Sequence, residues 1–518
     1  MPTYLTPGVY VEEVQSGARP IEGVGTAVAA FLGFAQNGPF HEPVLVTSWD
    51  QYTQQFGGFM EGAYLPHAVY GYFANGGGAA YIVRVGRSAQ GGAAAPGSGG
   101  PAELPAARPV ELGGFLVAAR PGVTGVSVEV ADVEGENPPE DRFRVLVRQG
   151  DQVAESYDVS IRKSVKGYFV TQTRGSRLIE VVEQRDTAQT RPAAQTLALP
   201  DAPAAPAAPA RGAAGRLDPA EYVGDADART GFAGLETIDE ITMVAVPDLM
   251  SAYERGDIDD EGVRTVQLAV ISHCEQMGDR VAVLDSPPGL SAQQVRRWRN
   301  DEAGYDSRFA TLYYPWVRVF DPAAGRNATV PPSGHVAGVW ARSDAERGVH
   351  KAPANEVIRG VVDLELRLSK GEQDLLNPIG VNCVRAFPGR GIRIWGARTL
   401  SSDPAWRYLN VRRLFNYLEE SILLGTQWVV FEPNDDRLWS SIRRNVTAFL
   451  TEEWRRGALF GRTAAEAFYV KCDAENNPQE SIDQGRVVCE IGVAPVKPAE
   501  FVVFRLAQFS DSTSLIDE

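Results

Sequence analysis

Two stretches of this chain cannot build a core, and what lies between them reads as β structure. Ser88 to Arg108 (SAQGGAAAPGSGGPAELPAAR) and Asp201 to Gly215 (DAPAAPAAPARGAAG) are dominated by Ala, Pro and Gly, with too few large apolar side chains to offset the entropy of ordering them. Between them, roughly residues 109–187, apolar and polar residues alternate with period two in VSVEVADV, RFRVLVRQ, ESYDVSIRK, GYFVTQT and LIEVVEQ. Period two places one face of a strand in a core and the other in water, and short strands with Gly, Asn and Pro turns predict a β-sandwich or small barrel. An all-β module tied in by two linkers is an insertion into a larger domain. A length of 518 residues leaves room for three or four domains in all.

On either side of the insert the period changes. Thr26–Phe34 (TAVAAFLGF), Tyr81–Val85, Ile241–Val246 (ITMVAV), Arg280–Asp285 (RVAVLD) and Ala310–Tyr314 are strand candidates. Helices alternate with them: one capped by Ser48, one over Glu261–Met277, one capped by Ser291. Strand–helix alternation predicts a mostly parallel, doubly wound α/β sheet. Gly76–Gly78 reads as the stop of a helix before the Tyr81 strand.

The last part of the chain is α+β. Asp403–Pro404 predicts the cap and first turn of a helix with an apolar stripe of Val411, Leu414, Phe415, Leu418 and Ile422, ending at Gly425. A second helix opens near Asn434 and carries Trp439, Ile442, Val446, Phe449 and Leu450 on one side. It closes with Arg455, Arg456 and Gly457, and exposes Arg443 and Arg444 beside Glu452 and Glu453. Phe468–Cys472, Val487–Val493 and Phe501–Leu506 are the closing strand candidates.

Several function classes fall away on composition. The formal net charge of −16 argues against a general nucleic-acid or anionic-membrane binder, and no apolar run is long enough to span a bilayer. Four cysteines and five histidines, with no CxxC or HExxH, leave no disulfide scaffold and no metal or cofactor site. GxxxxGK[ST] and GxGxxG are absent, so no phosphate cradle is expected. His273 beside Cys274 reads as an ordinary semi-buried helix pair. The opening MPTYLTPGVYVEEV has neither the basic nor the apolar region of a signal peptide, so the expectation is assembly in the cytoplasm.

One order of residues has an enzyme-like look. Asp248, Asp285 and then His335 in SGHVAGVWA follow the Asp…His order of subtilisin-type proteases, but no serine in a strained, oxyanion-lined turn follows. The ends are more informative. Gly8, Val9, Tyr10, Val11, Glu12, Glu13 and Val14 form a strand-like segment without a local partner, on a leader punctuated by Gly17, Pro20, Gly23 and Gly25. Phe501, Val502, Val503, Phe504, Arg505 and Leu506 are apolar on both faces and then stop in a polar tail. Such ends either pair within one chain or are exchanged between subunits.

Long stretches of the chain carry a family resemblance. The leader TPGVYVEEVQSGARPIEGVGTAVAAFLGFAQNGP resembles the opening of contractile tail sheath proteins of phage tails, pyocins and phage-like injection systems. So do PPSGHVAGVWARSDAERGVHKAPAN, LNPIGVNCVRAFPGRGIRIWGARTL, DPAWRYLNVRRLFNYLEESILLGTQWVVFEPND and the final ALFGRTAAEAFYVKCDAENNPQESIDQGRVVCEIGVAPVKPAEFVVFRL. The likeness covers about 1–87 and 235–518; the β-rich insert matches only in being β-rich.

The resemblance implies a structural subunit, not an enzyme. It implies hexameric rings stacked around an inner tube on a baseplate, closed by terminator or cap proteins, and a contraction that drives the tube through a target envelope. The α/β domain would have subtilisin-like topology without catalysis. The expected layout is a linking arm at 1–25, the α/β domain at 26–87 and 235–385, the insert at 88–234, and the C-terminal domain at 386–518. That last domain would face the tube and be completed by strand exchange, with Gly8–Val14 as the donated strand and Phe501–Leu506 as its partner. Charge alone reads the helix near Asn434–Arg456 as a solvated surface, but a tube-facing C-terminal domain must present some element. The resemblance then gives the tube contact to Arg443, Arg444, Arg455 and Arg456, in a region (385–462) with thirteen Arg and no Lys against eight acidic residues. Two other readings compete with it: a stand-alone binder using the insert, and a subtilisin-like hydrolase.

Overall fold

The computed structural model describes residues 20–86, most of 110–199, and 217–505. The linkers and the segment Gly8–Val14 lie outside the described residues, as does Leu506. The chain divides into two compact units, residues 92–215 and the remainder.

The large unit is built on a nine-stranded sheet. Its centre is six parallel strands in the spatial order Val381–Phe387, Ala310–Tyr314, Val281–Asp285, Met243–Ala245, Val28–Gly33 and Ala79–Arg84. Antiparallel strands close both edges: Gly391–Ile394 and Glu356–Val357 on one side, Val44–Val46 on the other. Strands buried on both faces favour apolar residues almost throughout, as in the runs VAAFLG, VAVLD and ATLYY, where only Asp285 and Thr311 are polar.

Helices cover both faces. Asp260–Met277 packs Val263, Val266 and Val270 into one core, and Leu65–Asn75 with Ser333–Arg347 packs Tyr72, Val336 and Trp340 into the other. The second pair of helices lies unusually close because glycines face the contact. A Cβ on Gly334 would stand 2.3 Å from the Ala68 Cα, and one on Gly338 would stand 2.4 Å from the Tyr72 carbonyl oxygen. Gly334 and Gly338 are four residues apart, so both lie on the face that meets the partner helix. The SGHVAG motif is thus explained by backbone approach.

The small unit is two antiparallel sheets around one core. One sheet orders Val110–Leu112, Phe115–Ala119 and Ile179–Glu183; the other orders Thr196–Ala198, Val126–Ala131, Arg142–Gln149 and Gln152–Ser160. Phe115, Val128, Val145, Phe169 and Ile179 share its interior. Two readings of the sequence change here. GYFVTQT holds a short helix, Phe169–Gln172, and the unit extends past residue 187 to the strand Thr196–Ala198. Past that strand, residues 217–235 belong to the large unit, whose core takes Tyr222, Phe232 and Leu235, so the insert ends near 215, not 234.

Candidate assembly interface

Two long helices form the frame of the C-terminal region. Leu409–Thr426 and Asp436–Arg455 bury Leu414, Leu418, Trp439, Ile442, Val446 and Leu450 in a common core. The second helix begins where expected: Asp435 accepts the amides of Arg437 and Leu438 at 3.0 and 2.9 Å. The first does not begin at Asp403–Pro404. Asp403 caps only its own turn by accepting the Ala405 amide at 2.8 Å, and the helix starts at Leu409 with no side-chain cap on Tyr408.

The four arginines expected at the tube, Arg443, Arg444, Arg455 and Arg456, are exposed, but they are not equivalent. Arg443 donates to the carbonyl of Cys472 at 3.1 Å and so ties the helix to the following strand. Arg456 pairs at 2.9 Å with Glu453, a buried carboxylate that also accepts the Tyr417 hydroxyl at 3.0 Å. Arg444 and Arg455 are lightly held, by Ser441 at 3.5 Å and Glu452 at 3.8 Å. Sequence reading placed Glu453 on the charged surface; its burial follows from Tyr417 on the facing helix, 36 residues away.

Next come the strands Phe468–Lys471 and Glu490–Val493, an antiparallel pair with no third strand among the described residues. The chain then continues as a stitched ribbon: Ala494 donates to the Ala467 carbonyl, Val496 to the Ala458 carbonyl, and Asn410 to the Val496 carbonyl. It is fastened by Glu500. Arg398 reaches both carboxylate oxygens, Nε to Oε1 at 2.8 Å and Nη2 to Oε2 at 2.7 Å, while Asn377 donates at 2.8 Å and Tyr408 at 3.2 Å. Beyond that clasp, Phe501 to Phe504 are 68–84% exposed and form no strand within the chain. The strand expected over Phe501–Leu506 is therefore not formed in the isolated chain over its described part.

The other end is also fastened. Gly23 and Gly25 do not make residues 20–27 a loose tether. Ile21 is buried against Gly425, Val24 donates to Ser421 Oγ at 3.1 Å, and Thr26 donates to Asp344 at 2.7 Å. Asp344 is held by Arg413 in a buried two-bonded pair, at 2.9 and 2.6 Å. A cavity of about 250 Å³ lies beside this leader, with Asp239, Asp279 and Glu420 on its wall.

The enzyme-like residues are spent on structure. Asp285 accepts the Ser333 amide at 3.0 Å and its hydroxyl at 2.6 Å, capping the Ser333–Arg347 helix from a neighbouring strand. Burial pushes the Asp285 carboxyl up to about 7 against the pull of those bonds. Asp248 accepts the amides of Phe34 and Leu65 at 2.6 and 3.0 Å and that of Tyr64, and burial lifts it to about 6. His335 is held neutral, down to about 4, by burial and by nearby His67, and its Nδ1 has no hydrogen-bond partner. A triad needs imidazole between serine and carboxylate; here the serine bonds the carboxylate directly. Among the described residues no group of three metal-ligating side chains gathers, and no helix is long and apolar enough to cross a membrane.

Comparison with known proteins agrees with this layout. Residues 223–400 match the phage tail sheath protein central domain, and residues 401–509 match the phage tail sheath C-terminal domain. The tail sheath protein of Vibrio phage KVP40 is 28% identical over 270 residues, 48% of this chain and 39% of that protein. That of Burkholderia phage BcepMu is 27% identical over 241 residues, 43% and 48% of the two chains. The chain spans about half the length of the curated relatives it matches. Among solved structures, the helical sheath of the anti-feeding prophage in its contracted state superposes with a TM-score of 0.60 at 24% identity, over 98% of this chain and 100% of that one. The contracted PVC sheath complex of an extracellular contractile injection system gives 0.58 at 23%, over 98% and 99%. At these identities the likeness is one of fold.

Proposed function

The chain belongs to the phage tail sheath family, and from that premise we propose that it is a structural subunit of a contractile sheath, without catalytic activity. Subunits polymerise in stacked hexameric rings around an inner tube, on a baseplate and under a cap, and contraction drives the tube through a target envelope. The observation that carries the reading is the clasp at Glu500 followed by the exposed run Phe501–Phe504. An apolar strand held firmly at its base and left unpaired beyond it is what strand exchange requires: the anchor transmits force while the free rung pairs with a neighbour.

In this reading the two-stranded sheet Phe468–Lys471 and Glu490–Val493 is the acceptor, and Gly8–Val14 is the strand donated by another subunit. Contraction becomes a rigid-body change of lattice that keeps these main-chain links. The large sheet supplies a subtilisin-like, non-catalytic body, and the helix Asp436–Arg455 faces the tube. The small unit, carried in the sequence between two Ala/Pro/Gly-rich segments, is dispensable for polymerisation, and assembly takes place in the cytoplasm before the particle is used or released. The test is co-expression with the neighbouring tube and baseplate genes, followed by negative-stain microscopy. Full-length chains should form striated tubes, and chains lacking residues 1–19 should remain folded but unassembled. Normal sheaths from the truncated chain would refute the linking role, and monomers in the presence of tube and baseplate would refute the sheath reading.

A further inference from the structure

Cys472 and Cys489 are free cysteines. They stand at the far end of the two-stranded sheet. Lys471 pairs with Glu490 in antiparallel register, so the next rung sets Cys472 opposite Cys489. Rungs of an antiparallel ladder alternate between hydrogen-bonded and open. Ala494 donates to the Ala467 carbonyl at 2.8 Å, and counting from that bonded rung makes Tyr469–Gly492 and Lys471–Glu490 bonded as well. Cys472–Cys489 therefore falls on an open rung, where Cα atoms approach to about 4.5 Å and side chains are closest. That separation lies inside the roughly 4.4–6.8 Å span a disulfide bridges.

The rung is held in place from both sides. Asn477, itself buried, donates to the carbonyls of Asp473 and Val488 at 3.0 Å each and accepts the Val488 amide at 2.6 Å. These are the immediate neighbours of the two cysteines. Arg443 holds the Cys472 carbonyl. Cys472 is buried, Cys489 is half-buried, and each thiol lies within interaction range of the other.

We propose that Cys472 and Cys489 form an intrachain disulfide once the protein meets a low-molecular-weight disulfide outside a reducing compartment. The Cys489 thiolate, the more accessible of the two, attacks one sulfur of the small disulfide and expels a thiolate that takes up a proton. The Cys472 thiolate then attacks Cys489 Sγ and expels the second. One protein S–S bond forms, one small-molecule S–S bond breaks, and two thiols leave; the cysteines lose the two electrons the oxidant gains. Burial pushes the Cys489 thiol up to about 12 and raises Cys472 as well, so few thiolates exist at neutral pH and closure is slow.

The product staples residues 473–488 into a closed loop. Its position gives it a mechanical use. Once the Glu500 clasp and the Val496 and Ala494 stitches have opened, tension on Phe501–Phe504 peels the Glu490–Val493 strand from the Phe468–Val493 rung toward Lys471–Glu490, and the bond sits just beyond that last rung. Peeling stops there. The disulfide concerns one chain's own ladder and stands without the sheath reading; its mechanical use rests on that reading.

The test uses the full-length chain, reduced and then transferred to oxidised glutathione, alkylated, and digested with trypsin without reduction. Cleavage after Lys471, Arg486 and Arg505 places the two cysteines on separate peptides, 472–486 and 487–505. The expected main product is these two peptides joined, with Cys274 and Cys383 recovered as thiols after denaturation. Closure should run about tenfold faster at pH 8.5 than at pH 7.5, following the thiolate fraction. A glutathione adduct that persists on Cys489, or two alkylatable thiols after prolonged oxidation, would overturn the proposal.

Discussion

Glu500 carries the clasp of the terminal ribbon, and its removal has a calculable effect. Glu500→Gln keeps the size of the side chain and discards the charge that Arg398 reads through two bonds of 2.8 and 2.7 Å. Hydrogen bonds to charged groups contribute roughly 1.5–3 kcal/mol each in favourable sites, and the Arg398 side chain is only 10% exposed, so water replaces little of what is lost. A net cost of about 2 kcal/mol corresponds to a roughly 30-fold rise in the fraction of time the ribbon is open. The readout is hydrogen exchange at the amides of Ala494 and Val496, which are bonded to Ala467 and Ala458. Both should exchange about 30-fold faster in the variant at pH 7, while Phe468–Lys471 keeps its protection. Burial acts to raise the Glu500 carboxyl, but bonds from Arg398 and Asn377 outweigh it and hold it below its ordinary 4.5. The clasp is therefore at full strength above pH 4.5 and is lost as pH falls through the lowered value, so the gap between wild type and variant should close in acid. Wild-type exchange rates in Glu500→Gln at pH 7 would mean that the backbone stitches alone hold the ribbon.

Arg444→Glu with Arg455→Glu should leave the subunit folded, because both side chains are lightly held, yet hinder sheath growth on the tube at low salt; full-length sheaths by microscopy would exclude this face as the contact. Adding Arg443→Glu should also lower the melting temperature, since Arg443 binds the Cys472 carbonyl. Replacing residues 92–215 with a short Gly/Ser loop should preserve the large unit's melting transition, whereas extending the cut to 230 removes Tyr222 from its core and should cost about 3–5 kcal/mol in chemical denaturation. Gly338→Ala places a Cβ 2.4 Å from the Tyr72 carbonyl oxygen and should destabilise by about 1–3 kcal/mol as the two helices separate.

The parallel strands were legible because burial on both faces favours nearly unbroken apolar runs, and the Ser48 and Ser291 caps were legible because they act within four residues. What escaped was long-range. The Glu500 clasp joins residues 102 apart, and the burial of Glu453 depends on a tyrosine of another helix. The helix expected from Asp403–Pro404 begins later because that pair makes its own turn before Tyr408. GYFVTQT has strand composition yet folds as one helical turn over Phe169–Gln172, where Phe169 plugs the small unit's core. The exposure of Arg443, Arg444, Arg455 and Arg456 could be read from spacing, but not which of them are spent on contacts inside the fold.

The leader's docking sets a timetable for synthesis. Val28–Gly33 lies mid-sheet, and its partner Met243–Ala245 is made more than two hundred residues later. At roughly 5–20 residues per second, the strand waits on the order of 10–40 seconds with one edge open. Val24 then waits for Ser421, 397 residues downstream. The described rungs of the small unit meanwhile all close within residues 110–198. A nascent chain thus displays a finished small unit while its N-terminal end remains unanchored, and that end is fixed only after the helix Leu409–Thr426 has left the ribosome. Chains truncated before Leu409–Thr426 never reach this state, so their N-terminal end is never seated.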